Sequence, residues 1–108
     1  MNFIVVALTD DIPIGKMKVF KAERKEILVV NFDGEYHAIN NKCTHMGGEL
    51  SKGKLEGNII TCPRHGSQFD VKTGKCIKGP KVGPLKLSTK DEPTYEVEVE
   101  GDIIKVGI

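Results

Sequence analysis

The chain has 108 residues, a length that suits one domain with a modest core. Its sixteen basic and fifteen acidic residues leave a formal net charge of +1, so the charge gives no reason to expect a nucleic acid or an anionic membrane as partner. No apolar run approaches the roughly 18 residues of a membrane span, and the first residues lack the basic region and cleavage site of a signal peptide. These features predict a cytoplasmic protein with a single domain over residues 1–108.

Apolar residues recur with period two, and twelve glycines and five prolines separate the apolar runs. This pattern predicts an all-β domain without amphipathic helices of useful length. The stretch KEILVVNF is apolar on both faces, as in a central strand, and the Asp33-Gly34 pair after it is typical of a type I′ hairpin turn. We expect the scaffold strands at about 2–8, 16–22, 25–32, 35–39, 94–100 and 102–107.

The segment from about 42 to 84 differs from this scaffold, because it is rich in glycine and lysine and its strand patterns are short. Those patterns lie at Asn58–Cys62 and Ser67–Val71. The segment also holds an internal echo, since CTHMGG and CPRHGS each contain a cysteine, a histidine and a following glycine. We predict two similar loops that face each other on the β scaffold.

Cysteine and histidine at short spacing indicate a metal site, and an odd number of cysteines (three) argues against a disulfide framework. A structural zinc ion is one interpretation, although zinc ligands on one knuckle usually have two or more residues between them. In an extended segment Cys43 and His45 would stand roughly 6–7 Å apart, which is awkward for one small ion and suits two adjacent metals. The spacing favours a binuclear site and leaves zinc open.

The ligand pattern is Cys-X-His, sixteen further residues, and Cys-X-X-His. In this pattern CTH…CPRHG resembles the signature of the Rieske [2Fe–2S] proteins. DGEYHAINNKCTHMGGEL resembles the strand that enters the first cluster loop of Rieske ferredoxins, and GPKVGPLK resembles the proline loop that covers the cluster. The resemblance runs from about residue 16 to about residue 106, and its specific part is the set of four ligands.

The resemblance implies an antiparallel β-sandwich or barrel with a cluster-binding subdomain over about 42–84, made of two loops and a proline loop. It implies one [2Fe–2S] cluster per chain, with Cys43 and Cys62 on one iron and His45 and His65 on the other. Ser67 would donate a hydrogen bond to a bridging sulfide, and Pro80 would belong to the covering loop. No catalytic residue is implied.

Rieske clusters are neutral when oxidised, whereas a four-cysteine cluster carries two negative charges, so histidine ligation raises the reduction potential to about −150 to +300 mV. High-potential members have a disulfide between the loops and a tyrosine that donates to a cysteine sulfur. The matching positions here are Gly48, Arg64 and Phe69, which supply neither. Because each donor to sulfur stabilises the reduced state, we predict a potential at the low end of the range.

These expectations describe a soluble one-electron carrier rather than an enzyme. The resemblance implies a flavin- or iron–sulfur-containing reductase as donor and a terminal acceptor such as a Rieske-type oxygenase, with no nucleic acid or membrane partner. The alternatives are a small non-catalytic subunit of a nitrite-reductase-like complex, a zinc protein and a redox sensor.

Four further features have a structural interpretation as well. Cys76 is expected to be a small buried thiol, and His37 is expected to be an exposed strand residue. One interpretation of Arg64, which lies between two ligands, is that it helps to dock a partner. Charge is also segregated, with six lysines and no acid over 71–90 and six acids and no base over 91–102. Solvated faces explain this segregation best, and a docking patch for an acidic partner is the other interpretation.

Overall fold

The computed structural model describes residues 1–44, 47–64, 66–79, 81–82, 85–86 and 90–108, with 81–82 and 85–86 as backbone. Two short 3₁₀ helices, Thr9–Asp11 and Leu50–Lys52, interrupt a chain of strands. The strands are β1 Phe3–Leu8, β2 Met17–Ala22, β3 Lys25–Phe32, β4 Glu35–Asn40, β5 Lys54–Glu56, β6 Ile59–Thr61, β7 Gln68–Asp70, β8 Cys76–Lys78, β9 Lys81–Val82, β10 Leu85–Lys86, β11 Thr94–Tyr95, β12 Val97–Glu100 and β13 Ile103–Gly107.

The strands form antiparallel sheets, which confirms the all-β prediction. A four-stranded sheet has the order β11-β4-β3-β2, and a three-stranded sheet has the order β1-β13-β12. A second four-stranded sheet, β5-β6-β7-β8, is built from the segment predicted to carry the loops, and β9 and β10 pair as a small hairpin. In the described part of the chain, no helix is long and apolar enough to cross a membrane.

Strand β3 lies between β2 and β4 and divides the apolar interior in two. Leu28 and Val30 pack into one core with the β5–β8 sheet, while Ile27 and Val29 pack into the other with β1 and β13. All four are fully buried, because successive side chains of a strand point to opposite faces and both faces are covered. The two-sided apolar pattern of KEILVVNF is thus confirmed as a central strand.

The hairpin between β3 and β4 has the turn that its sequence predicts. Asp33 and Gly34 have φ angles of 53° and 91°, the positive values that a type I′ turn requires at both central positions. The Gly34 N–H also donates to Asn31 Oδ1 at 2.9 Å. This turn fixes the register of β3 on β4, from Phe32 opposite Glu35 to Ile27 opposite Asn40.

The C-terminal strands differ from the prediction in one respect. The strand expected over 94–100 is two strands in two sheets, since β11 pairs with β4 and β12 pairs with β13. The short strands β5, β8, β9 and β10 were not predicted. The other scaffold strands lie within one or two residues of their predicted bounds.

Candidate metal centre

Two loops with the same hydrogen-bond pattern hold the cysteines. Cys43 follows β4, and its N–H donates to the Gly48 carbonyl at 2.6 Å while its own carbonyl accepts from the Gly47 N–H at 3.0 Å. Cys62 follows β6, and its N–H donates to the Ser67 carbonyl at 2.8 Å.

The Cys62 carbonyl accepts from the Gly66 N–H at 3.2 Å, so each cysteine makes the same two bonds, to positions four and five residues later. Gly47 and Gly66 have φ angles of 68° and 77°, where a side chain would be strained. The shared glycine of the two motifs therefore closes each loop in the same way.

The two loops are in contact. A Cβ added at Gly48 in the first loop would lie 2.9 Å from Cys62 Sγ in the second and 3.2 Å from Arg64 Cγ. Only a glycine lets the first loop come this close to the sulfur. The positions that a loop-to-loop disulfide would occupy, 48 and 64, are accordingly neighbours, and neither is a cysteine here.

Both cysteines are removed from solvent. Cys43 and Cys62 are 3% and 2% exposed and belong to one core cluster, together with fully buried Phe69. Phe69, which has no hydroxyl to donate, is therefore a core residue beside the site. The third cysteine, Cys76, is partly buried where full burial was expected; it lies opposite Phe69, at the edge of the same core.

Ser67 carries a buried hydroxyl that lacks a partner among the described residues. The side chain is 1% exposed, and its Oγ makes no hydrogen bond there. An unsatisfied buried hydroxyl costs about 1–3 kcal/mol. A sulfide acceptor beside Cys62 would remove that cost, so the pair of thiols and the serine fit an iron–sulfur cluster.

His45, His65 and Pro80 lie outside the described residues, and their roles as ligands and as part of the covering loop stay predictions. Among the residues that the structure describes, no three histidine, cysteine or acidic side chains come together as a metal site. The structure brings the two predicted cysteines into adjacent loops and places Ser67 beside them.

Glu92 is part of the site's surroundings, although nothing in the sequence pointed to it. It is 3% exposed, and its Oε1 accepts a short hydrogen bond from the Thr44 N–H, between the two ligands of the first loop. The Asn40 side chain also bonds to the carboxylate, while Oε2 has no partner in the described part. Burial raises the pKa of Glu92 to about 7.

The segment that carries Glu92 is tightly held. Its N–H donates to the Gly74 carbonyl at 2.7 Å, and a Cβ at Gly74 would lie 2.1 Å from the Glu92 carbonyl oxygen. The Thr44 hydroxyl donates to the Lys90 carbonyl at 2.7 Å. The first loop is therefore tied to residues 90–92. Glu92 is one of six acids over residues 91–102, so its sequence position gives it no distinction.

His37 is only partly as expected. It lies on β4, as predicted, but its side chain is 22% exposed rather than open to solvent, and its Nε2 lies 3.4 Å from Glu35 Oε2. It is the one histidine of the three outside the two loop motifs.

Two known proteins are similar in sequence to this chain over most of its length. The ferredoxin component of the naphthalene 1,2-dioxygenase/salicylate 5-hydroxylase systems of Ralstonia sp. is 43% identical over 92% of this chain and 88% of the relative. The biphenyl dioxygenase ferredoxin subunit of Pseudomonas sp. strain KKS102 is 31% identical over 94% and 87%.

Two solved structures have a similar fold over nearly the whole chain. The ferredoxin of carbazole 1,9a-dioxygenase from Nocardioides aromaticivorans IC177 superposes with a TM-score of 0.79 at 30% identity, over 98% of this chain and 97% of that one. A chain in a complex of reduced oxygenase and oxidized ferredoxin of carbazole 1,9a-dioxygenase has a TM-score of 0.79 at 28% identity, over 96% and 91%. Residues 2–96 match the family described as Rieske [2Fe-2S] domain. The chain therefore belongs to the Rieske [2Fe–2S] family.

Proposed function

We propose that this Rieske protein is the ferredoxin component of a ring-hydroxylating dioxygenase-type system and carries one electron at a time from a reductase to a terminal oxygenase. The observation that carries the proposal is the contact between two matching loops, in which Gly48 lies against the Cys62 sulfur. The buried Ser67 hydroxyl in the second loop has no partner within the described ranges. The relatives that match over most of this chain are themselves named as the ferredoxin component or ferredoxin subunit of dioxygenase systems, which supports a carrier role.

Four residues would hold the single cluster of each chain. Cys43 and Cys62 would bind the inner iron through sulfur, and His45 and His65 the outer iron through a ring nitrogen. When bound, the [2Fe–2S] cluster supplies reversible one-electron chemistry. Burial of both cysteines keeps water from the sulfurs, and the buried Ser67 hydroxyl would donate a hydrogen bond to a sulfide of the cluster.

Hydrogen bonds within the protein hold both cysteine loops in place. Each cysteine is held by two backbone hydrogen bonds within its own loop, and the first loop is tied through Thr44 to residues 90–92. A site held in one geometry in both oxidation states loses little energy to reorganisation when an electron arrives or leaves. This rigidity is what a carrier needs.

The partners follow from the same proposal. A flavin- or iron–sulfur-containing reductase would supply the electron, and an oxygenase would accept it, as the carbazole 1,9a-dioxygenase complex contains for its own ferredoxin. A cytoplasmic location stays a prediction of the sequence.

The test combines composition with transfer. The purified protein is expected to be red-brown, with about two irons and two acid-labile sulfides per chain. Mixed with the reductase and oxygenase components of the Ralstonia system and NADH, it should support hydroxylation of the aromatic substrate, and Cys43→Ser protein should not. A colourless protein with stoichiometric zinc would contradict the proposal, as would a loaded cluster that neither component reduces or oxidises.

A further inference from the structure

Three cationic residues surround the cluster loops in the described part of the chain. Arg64 lies in the second loop, with its Cγ close to Gly48 of the first. Lys78 on β8 is opposite Gln68, the residue after Ser67. Lys90 lies beside the first loop, because its carbonyl accepts the Thr44 hydroxyl. All three side chains are exposed.

Two of these residues belong to one continuous surface. Asp91 Oδ1 accepts the Cys76 N–H at 2.8 Å, so the segment with Lys90 runs alongside β8, the edge strand with Lys78. We call Arg64, Lys78 and Lys90 the basic rim. Charged side chains around the point of contact are usual in a docking surface.

The acids near the basic rim do not cancel its charge. Glu92 is buried, and Glu49 forms an ion pair with Lys52 at 2.9 Å. Asp91 is an exposed acid next to Lys90 and is engaged by the Cys76 N–H. Within those ranges neither Lys78 nor Lys90 forms an ion pair. Lys81 and Lys86 follow in sequence with no acid before Asp91.

We propose that the basic rim is the docking site for an acidic surface of the redox partner protein. The inference rests on the proposed carrier function and adds the chemistry of the partner. Opposite charges speed encounter between the two surfaces and orient them so that the cluster loops face the acceptor. Lys78 and Lys90 belong to the segment 71–90, which has six lysines and no acid and which as a sequence pattern was best explained as a solvated face. These two lysines acquire a function from their position beside the loops.

The test uses two haem proteins of opposite surface charge as electron acceptors, acidic cytochrome b5 and basic cytochrome c. Dithionite-reduced protein is mixed with each by stopped flow at about 20 and about 500 mM salt, since the Debye length falls several-fold over this range. We expect transfer to the acidic acceptor to slow about tenfold at high salt and transfer to the basic acceptor not to slow.

Charge-reversal variants locate the effect. Lys78→Glu/Lys90→Glu should cut the low-salt rate to cytochrome b5 at least tenfold and remove most of its salt dependence, while raising the rate to cytochrome c. Lys78→Gln/Lys90→Gln, which removes charge without adding any, should give an intermediate rate. Each variant's midpoint potential and visible spectrum are measured, so that a change in driving force or cluster content is separated from docking.

Lys16→Glu/Lys72→Glu is the matched control, with the same change in net charge at the other end of the molecule. The Lys16 carbonyl accepts the Asn31 N–H, and Lys72 lies over the Phe32 ring, both next to the β3–β4 turn. Its rates should stay within about twofold of wild type. Equal effects of the two pairs, or no effect of Lys78→Glu/Lys90→Glu, would overturn the inference and leave the carrier function intact. If the reduced protein passes no electron to either acceptor, the carrier function itself fails.

Discussion

The two cores on either side of β3 have the same backbone in common and differ in what they contain. The buried residues of the scaffold core, among them Ile27, Val29, Ile104 and Val106, are all aliphatic. The loop core, with Leu28 and Val30, also contains Cys43 and Cys62 and lies beside the Ser67 hydroxyl, which has no hydrogen-bond partner among the described residues. One strand thus serves two interiors of different kinds.

The polar groups near the scaffold core have partners in the protein itself. Asn31 Nδ2 donates to the Ile12 carbonyl at 2.9 Å, and the Tyr36 hydroxyl donates to the Thr9 carbonyl at 3.1 Å. On the side of the loop core, Ser67 Oγ and Glu92 Oε2 are buried without a hydrogen-bond partner among the residues that the structure describes. The proposed cluster would give the Ser67 hydroxyl its acceptor.

The largest effect is expected from the proposed ligands. Cys62→Ser and His65→Ala should reduce iron from about two per chain to near zero, because each would remove one of four ligands that the other three cannot replace. Cys76→Ser and His37→Ala are the matched controls and should keep iron and colour. Iron and sulfide analysis measures the result. Iron retained in Cys62→Ser protein, or iron lost from Cys76→Ser protein, would contradict the assignment of the ligands to the two loops.

Substitutions at two neighbouring residues of β3 allow a direct comparison of the two cores. Ile27→Ala and Leu28→Ala should each lower the free energy of unfolding by about 2–5 kcal/mol, since both side chains are fully buried. Only Leu28→Ala opens space in the core that holds the cysteines, so it alone should speed loss of the visible spectrum in chelator at low urea. Equal rates of loss in the two variants would show that the cores are not separate.

Glu92 should make stability depend on pH. Its pKa rises from 4.5 unfolded to about 7 folded, so the folded state binds more protons between these values. Protonated Glu92 contributes up to about 3 kcal/mol to the free energy of unfolding. This contribution is present in full below pH 4.5 and is lost as the pH rises through 7. Urea unfolding of the oxidised, cluster-loaded protein from pH 4.5 to 8 should show this fall in wild type and not in Glu92→Gln. Asp91→Asn, the control, should follow wild type; parallel curves for wild type and Glu92→Gln would contradict the assignment.

The smallest effect belongs to Ser67. Ser67→Ala should lower the midpoint potential by about 20–60 mV, the equivalent of one hydrogen bond of about 0.5–1.5 kcal/mol for one electron, because the donor stabilises the reduced state. Ser51→Ala, in the second 3₁₀ helix, is the control and should leave the potential unchanged. A potential that does not move in Ser67→Ala would place the hydroxyl in a structural role alone. The wild-type midpoint is expected at the low end of the Rieske range.

Local features were predictable from the sequence, and the prediction was accurate where a residue's neighbours decide its structure. The turn at Asp33-Gly34 and the two-sided burial of β3 are of this kind, and so are the matching loops, because the cysteine and glycine of each motif make the bonds that close it. The family resemblance added the fold and the electron-carrier role, which the relatives support.

Features set by distant contacts were not predictable. The alternation of residues 94–100 is the same in either sheet, so it does not show that the strand divides between β4 and β13. Strands β5 and β8 have three residues each and were not predicted, although β6 and β7, of the same length, lie within the predicted stretches Asn58–Cys62 and Ser67–Val71. Glu92 is distinguished only by the burial that the first loop and Gly74 impose on it.

The central claim is that the two loops together hold a binuclear cluster with mixed cysteine and histidine ligation. EPR spectroscopy of the dithionite-reduced protein, with iron and sulfide measured on the same sample, tests it most directly. The account predicts about two irons, two sulfides and the spectrum of a [2Fe–2S] cluster with two nitrogen ligands on one iron. A spectrum of all-cysteine ligation, or a reduced protein without an EPR signal and with zinc in place of iron, would contradict it.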